Sequence, residues 1–287
     1  MPKNPCVRRA VRIWLNIGTS VLVGAAGVGC SDQPGETGRD ALSSRDIADE
    51  TPGTTRSATA IPGPSAGGEG EGESSSGADP VTDDVEYLHR LGQARGHLVA
   101  FTALHHLGQH EMAATHAKHP ESELYADLLP AFAARDKEGF AGELAALADA
   151  AETNEDVGAA YDDVQNAIRE NEPAAAFATR LMAIATLTRT AAVEYGIGVA
   201  DDGTVVNAHE YQDAYGFLAA AREMLADTKT TSAAEAEAAA LAKEQIETAL
   251  GQFDTLTATR VDGDASVIHG AAARIEIKAT MLRQSER

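Results

Sequence analysis

The stretch NAHEYQDAYGFLAAAREML, residues 207–225, decides the fold class, because its apolar residues recur at the spacing of a helix. Steps of three and four residues place them on one helical face, whereas a strand would require steps of two. Asn207 stands where an N-cap belongs, since its side chain can accept a hydrogen bond from the first turn. The stripe consists of Tyr211, Ala214, Leu218, Ala221 and Leu225.

Similar stripes recur on both sides of this stretch, and strand-like alternation is almost absent from about residue 83 onward. The pattern predicts an all-α, up-and-down helical bundle over residues 83–287. Two smaller bundles that meet near residue 170, at RENEP, are the alternative. Pro173 fits the first turn of a helix. The predicted helices span 83–107, 109–117, 121–134, 137–151, 155–169, 173–195, 207–228, 232–258 and 264–284.

The first thirty residues have the layout of a secretory signal peptide: a basic start, a short apolar run and small residues before Cys30. The segment GVGC resembles a bacterial lipobox, in which the cysteine is acylated after cleavage. We therefore expect a lipoprotein signal peptide over residues 1–29 and lipidation of Cys30. A plain signal peptide, an uncleaved anchor and a twin-arginine signal, which RRAVRI resembles, are the alternatives.

Cysteine usage agrees with a lipid anchor. The two cysteines are Cys6 and Cys30, so cleavage before Cys30 leaves one thiol and no disulfide. Residues 30–82 are rich in Gly, Pro, Ser and Glu and cannot bury enough apolar surface to offset their ordering entropy. We expect them to form a disordered tether, with a mean reach of about 40 Å. The folded domain would then lie on the periplasmic side of the outer or inner membrane.

The charge balance excludes one class of partner. The net charge is −21, and removal of residues 1–29, which hold four cations and no acids, takes it to −25. Nucleic-acid binding requires a basic footprint and is therefore not expected. Acidity draws cations to the surface, but by itself it is better explained by a solvated surface or a salty habitat. We find no nucleophile–base pair, phosphate loop or dinucleotide fingerprint, and so we do not expect an enzyme.

Histidines are concentrated in HHLGQHEMAATHAKHP, residues 105–120, which holds five of the nine in the chain. A zinc-protease motif needs two histidines four residues apart with a glutamate beside them. His110 and His116 are six apart and lie on nearly opposite faces of a helix, so we reject that function. We interpret His105, His106 and His110 as groups at a helix end or on the surface.

The remaining histidines of this region suggest a metal site. His116 and His119 are three residues apart and can converge on one ion, with Glu123 in the next helical turn. His97 lies on an apolar helix face, and the preceding Gly96 allows a neighbouring helix to approach closely. Imidazoles with one or two carboxylates suit Zn(II), Cu(II) or iron better than Ca(II). For His97 the alternative is a hydrogen-bonded histidine of the core.

Two glutamates flank the link GIGVADDGTVVN, residues 196–207, which is expected to join its two neighbouring helices as an antiparallel hairpin. Glu194 and Glu210 would then lie near the tip, where paired carboxylates can bind a cation or share a proton. An exposed acid in the first helical turn is an equal alternative for Glu210. We expect His209 to be exposed.

Two segments resemble known families. Residues 96–132, GHLVAFTALHHLGQHEMAATHAKHPESELYADLLPAF, resemble a GHL…H…HPxxExY pattern of helical periplasmic proteins. Residues 191–225, AAVEYGIGVADDGTVVNAHEYQDAYGFLAAAREML, are similar to the exported helical domain associated with cytochrome-linked iron permeases, a family that resembles the imelysin-like iron-uptake proteins. The resemblance implies that a metal ion, iron foremost, is handled for a membrane permease. The matching positions are His97, His116, His119, Glu123, Glu194 and Glu210.

The chain also departs from these families. It has no CxxCH haem-attachment motif, no permease segment and no GxHxxE motif of the imelysin-like proteins. We therefore predict a membrane-anchored, extracytoplasmic, metal-binding lipoprotein that acts in iron uptake or buffering without haem. Copper and zinc are the alternative metals, and the predicted partners are membrane lipid through Cys30 and a metal permease. The alternative function is a metal-free, acidic helical scaffold that docks a partner protein.

Overall fold

The computed structural model describes residues 77–153 and 157–285, and within these ranges it confirms the predicted all-α fold class. The signal peptide, Cys30 and most of the predicted tether lie outside the described residues. No described helix is both long and apolar enough to cross a membrane. The elements are α1 (Asp84–His106), α2 (His110–His119), a π-helical turn (Pro120–Leu124), α3 (Tyr125–Ala134), α4 (Ala141–Thr153), α5 (Val157–Asn171), α6 (Phe177–Gly198), α7 (Ala208–Asp227), α8 (Ala233–Leu250) and α9 (Ala265–Ser285).

Side-chain caps mark the start of several described helices, among them α1, α7 and α8. Asn207 caps α7 as predicted, and its side chain accepts a hydrogen bond from the His209 amide at 3.2 Å. Ser232 and Glu235 form a reciprocal capping box at the start of α8. Such caps satisfy amide groups that have no partner within the helix, and so they fix where each helix begins.

Three predicted helix boundaries are wrong by four residues or more. The helix expected over residues 137–151 begins at Ala141. The helix expected from Pro173 begins only at Phe177, because Arg180 donates a hydrogen bond to the Pro173 carbonyl at 3.0 Å and holds the preceding segment outside the helix. The helix expected over residues 232–258 ends at Leu250. Its apolar stripe continues into the following segment, but that segment leaves the helix and packs against the link between α6 and α7.

This pairing of two loops closes one end of the bundle. The Val205 amide donates to the Thr259 carbonyl at 3.0 Å, and the Val261 amide donates to the Gly203 carbonyl at 2.8 Å. Gly203 has a φ of +84°, and a side-chain carbon there would lie 2.3 Å from the Val261 oxygen. Glycine is required here for two reasons. The backbone is left-handed, and the Val261 backbone is too close to leave room for a side chain.

Among the described residues, the hydrophobic core forms two clusters. One lies mainly among α6, α7, α8 and α9, and the other mainly among α1 to α5. Helix α1 packs against both α6 and α7 and thereby joins the two parts. The first cluster includes Ile184, Phe217, Ile246 and Ile275, and the second includes Phe101, Leu128, Leu144 and Ile168.

Glycines allow α1 and α7 to cross at close range. A side-chain carbon at Gly96 would lie 2.3 Å from Phe217 Cδ1 and 3.0 Å from Phe217 Cα. One at Gly216 would lie 2.3 Å from the Gly96 carbonyl oxygen. Gly96 thus has the role that the sequence predicts for it. The close crossing brings His97, the next residue of α1, directly beside α7.

A buried arginine fixes the same crossing. Arg95 is 1% exposed, and its Nη2 lies 3.2 Å from Glu223 Oε2 and 3.1 Å from Asp227 Oδ2, both on α7. Its Nε donates to Gln165 Oε1 on α5 at 3.1 Å. A buried cation with several oxygen partners requires a specific arrangement of helices, because losing one partner leaves charge without compensation. Arg95 therefore holds α1 against α5 and α7 at a point two residues before His97.

Candidate metal site

Four histidines and one aspartate converge between α1, α2 and α7. Asp213 Oδ1 lies 2.7 Å from His97 Nδ1 and 2.9 Å from His116 Nδ1. Asp213 Oδ2 lies 3.1 Å from His209 Nε2, which in turn lies 3.2 Å from His119 Nδ1. We call these five residues the histidine–Asp213 cluster.

Three local features of the chain position the cluster. His116 and His119 lie three residues apart near the end of α2, on one side of that helix. Pro120 begins the π-helical turn that follows, and a proline has no amide N–H to continue an α-helical ladder. His209 and Asp213 are four residues apart on α7 and therefore share a helix face.

The cluster lies inside the bundle and opens on one side. His97 and His116 are fully buried, and His119 and Asp213 are 5% and 1% exposed. The His209 side chain is 15% exposed and is the most accessible of the five. A ligand would therefore reach the cluster on the His209 side, near the first turn of α7.

The carboxylate at the centre remains ionised. Burial alone would raise the pKa of Asp213, but the attraction of His97 and hydrogen bonds from His116, His209 and His97 outweigh it. The pKa of Asp213 is therefore held well below its ordinary value of 3.8. An ionised carboxylate surrounded by imidazole nitrogens is a donor set that attracts a cation.

Two groups of ligand atoms in the cluster lie close enough together to be candidates for holding a metal ion. Among the described residues, two sets of three side chains offer ligand atoms that all lie within 4.8 Å of one another. One set is His97, His119 and Asp213, and the other is His116, His209 and Asp213. Both sets contain Asp213, which makes this residue the common element of any metal site here.

The structure brings together only part of the predicted site. His97, His116 and His119 lie in the cluster, whereas Glu194 and Glu210 are buried but belong to neither set of ligand atoms found among the described residues. Glu210 Oε1 lies 3.5 Å from Asn207 Nδ2, in the first turn of α7. The side chain of Glu123 lies outside the described part of the chain, although its backbone belongs to the π-helical turn.

The expectation for His209 is wrong, and Asp213 was not predicted as a site residue. His209 is mostly buried because its ring lies against both Asp213 and His119, despite its position in the first turn of α7. The segment HEYQD contains a sequence pattern from which His209 and Asp213 could have been predicted as site residues. A histidine and an aspartate four residues apart, within a helix that is otherwise rich in alanine, share one face.

The three histidines near residue 108 form a separate group. The rings of His105 and His110 lie 4.6 Å apart between their centroids, at the junction of α1 and α2. Burial, followed by the neighbouring His110 and His106, lowers the pKa of His105. His106 and His110 are exposed, as expected for groups at helix ends.

Comparison with known families gives a match to part of the chain. The family model described as "Iron permease-associated 4-helix bundle domain" matches residues 170–283, which is less than half of the chain. The matched region contains His209 and Asp213, whereas His97, His116 and His119 lie on helices outside it. The association with iron permeases, predicted from residues 191–225, is thus supported. Neither the curated proteins nor the solved structures gave a match.

Proposed function

We propose that the chain captures a transition-metal ion, iron foremost, in the histidine–Asp213 cluster and supplies it to a membrane metal permease. The observation that carries the proposal is the contact between His119 Nδ1, His209 Nε2 and Asp213 Oδ2 at 3.2 and 3.1 Å. Ligand atoms bound at about 2.1 Å to a tetrahedral or octahedral ion lie roughly 3.0 to 3.4 Å from one another. His209 Nε2 already has this spacing to each of the other two atoms.

The donor set favours one class of ion. Imidazole nitrogens with a carboxylate suit Fe(II), Cu(II) and Zn(II), whereas Ca(II) and Mg(II) are bound almost entirely by oxygen atoms. Because an imidazole nitrogen must be unprotonated to bind a metal, we expect the affinity to fall in acid. The pKa of Asp213 is held well below its ordinary value of 3.8, so this carboxylate stays ionised in mild acid.

The family match supports the proposed partner. The matched region resembles a domain associated with iron permeases, and it supplies two of the five cluster residues. His209 is both part of that region and the most accessible residue of the cluster. An ion released on this side would reach a permease that docks at the first turn of α7. The proposal treats the metal as cargo, without haem.

The test of ion binding is a calorimetric titration of the full-length chain with Fe(II) without oxygen, and with Cu(II) and Zn(II). We expect about one tightly bound ion per chain. The double variant His119→Ala/His209→Ala should weaken binding at least 100-fold, because it removes two of the three closely spaced ligand atoms.

The matched control is His105→Ala/His106→Ala, which also removes two histidines but leaves the cluster intact. If the cluster variant binds each metal as tightly as the wild-type chain, the proposed function is wrong. If the control variant loses binding instead, the ion lies at the junction of α1 and α2.

We further propose that residues 1–29 are removed as a signal peptide and that lipid on Cys30 anchors the domain through the tether of residues 30–82. The sequence GVGC and the basic start support this proposal. Cys30→Ser should move the protein from the membrane fraction to the soluble extracytoplasmic fraction. Cys6→Ser is the control and should leave the distribution unchanged. Retention of the Cys30 variant in the membrane would instead indicate an uncleaved anchor.

A further inference from the structure

Two rings of the cluster are stacked face to face. The rings of His116 and His209 are 4.2 Å apart between their centroids, with an angle of 4° between their planes. The lone pair of an imidazole nitrogen lies in the plane of its ring, so a metal bound to the nitrogen lies close to that plane as well. Two parallel, stacked rings have no common point in their planes. His116 and His209 therefore cannot both bind one ion in this arrangement.

His209 is the better placed of the two for an ion. Its Nε2 lies within 3.2 Å of both His119 Nδ1 and Asp213 Oδ2. The His119 ring is tilted by 48° relative to the His209 ring, with 4.4 Å between their centroids, so the planes of these two rings intersect. Of the two stacked residues, His209 is therefore the metal ligand. His116 must have a different role.

Both nitrogens of His116 face acceptor oxygens. Nδ1 lies 2.9 Å from Asp213 Oδ1, and Nε2 lies 2.9 Å from Gln212 Oε1. The orientation of the Gln212 amide is fixed, because its Nε2 donates to the Leu256 carbonyl at 3.0 Å and a carbonyl oxygen can only accept. Gln212 therefore presents its oxygen, and not its nitrogen, to His116.

From these contacts we infer that His116 is a positioning residue that holds Asp213 and is not a ligand of the ion. The inference rests on the proposed metal-binding function. His116 and His97 both contact Asp213 Oδ1, which leaves Oδ2 beside His209 to bind the metal. The ligands are then His119, His209 and Asp213, whose closely spaced atoms carry the proposed function.

The contacts of His116 and Gln212 connect the candidate site to a segment that is distant along the chain. Leu256 lies in the segment after α8, which also pairs with the link between α6 and α7. The chain of contacts runs from the Leu256 carbonyl through Gln212 and His116 to Asp213. Residues that orient a ligand in this way typically contribute 10- to 100-fold to metal affinity.

The experiment is pulsed EPR on the full-length chain loaded with one equivalent of Cu(II), which counts the imidazoles bound to the metal. His116→Asn should show as many bound imidazoles as the wild-type chain, with an affinity about 10- to 100-fold lower. His119→Ala should show one fewer. Gln212→Leu, which removes the oxygen that faces His116 Nε2, should also weaken binding without changing the count.

The outcomes separate the inference from the proposed function. One imidazole fewer in His116→Asn overturns the inference but leaves metal binding intact. Equal or tighter copper binding by Gln212→Leu also overturns it, and this arm holds even if His116→Asn fails to fold. A wild-type chain that binds no copper through imidazole overturns both the inference and the proposed function.

Discussion

Asp213→Ala is expected to abolish tight metal binding and to destabilise the fold at the same time. The carboxylate contacts three histidines through its two oxygens, and it is the only residue common to both sets of ligand atoms found in the described ranges. Removing one partner of a buried charged pair typically costs about 3–5 kcal/mol, because the remaining groups have lost their compensation. We expect metal affinity, measured by calorimetry, to fall at least 100-fold. The free energy of unfolding should fall by about 3–5 kcal/mol.

The control for this variant is Asp201→Ala, which removes the same charge from an exposed position. It should change the free energy of unfolding by less than about 0.5 kcal/mol. Wild-type metal affinity in Asp213→Ala would contradict the assigned site. A stable variant without metal binding would show that the carboxylate binds the ion but does not support the fold.

The contribution of Asp213 should also depend on pH. Its folded-state pKa lies below the ordinary value of 3.8, so the ionised carboxylate stabilises the fold fully above that value. This stabilisation is lost as the pH falls through the lower, folded-state pKa. The difference in unfolding free energy between the wild-type chain and Asp213→Asn should therefore close below about pH 3.8, which urea titrations at several pH values would show.

The second large effect is expected for Gly96→Ala. A side-chain carbon at this position would lie 2.3 Å from the Phe217 ring and 3.0 Å from the Phe217 backbone, and a backbone cannot move aside as a flexible side chain can. We expect α1 and α7 to separate, with a loss of stability of about 1–3 kcal/mol. His97 would then move away from Asp213, and metal affinity should fall at least 10-fold.

Gly196→Ala is the matched control, because it also replaces a helical glycine with alanine. A side-chain carbon there meets no atom within 4 Å, so the helix propensity of alanine should stabilise this variant by up to about 1 kcal/mol. Thermal unfolding of both variants tests the comparison. Equal stability of Gly96→Ala and the wild-type chain would show that the close crossing does not constrain the site.

The fold class could be predicted because helical periodicity is a local property of the sequence. The predictions that failed concern residues whose environment is set from elsewhere. Phe253 and Leu256 continue the apolar stripe of α8, but they pack from a loop, so the stripe does not mark the end of the helix. Pro173 has the residue type of a first helical turn, but its carbonyl is held by Arg180 before α6 begins.

Part of the candidate site could be predicted as well, because the spacing of residues along a helix is a local property of the sequence. His116 and His119 are close in sequence, and Gly96 predicts a close helix approach at the turn of α1 that carries His97. Asp213 becomes a central residue only through the crossing of α1 and α7, which joins positions 116 residues apart along the chain. No local pattern encodes that contact.

The most direct test of the account is a crystal structure of the chain grown with Fe(II) and measured at the iron absorption edge. We predict one anomalous peak in the histidine–Asp213 cluster, within about 2.0–2.3 Å of His119 Nδ1, His209 Nε2 and Asp213 Oδ2. A peak only at surface acids, or between His105 and His110, would contradict the central claim.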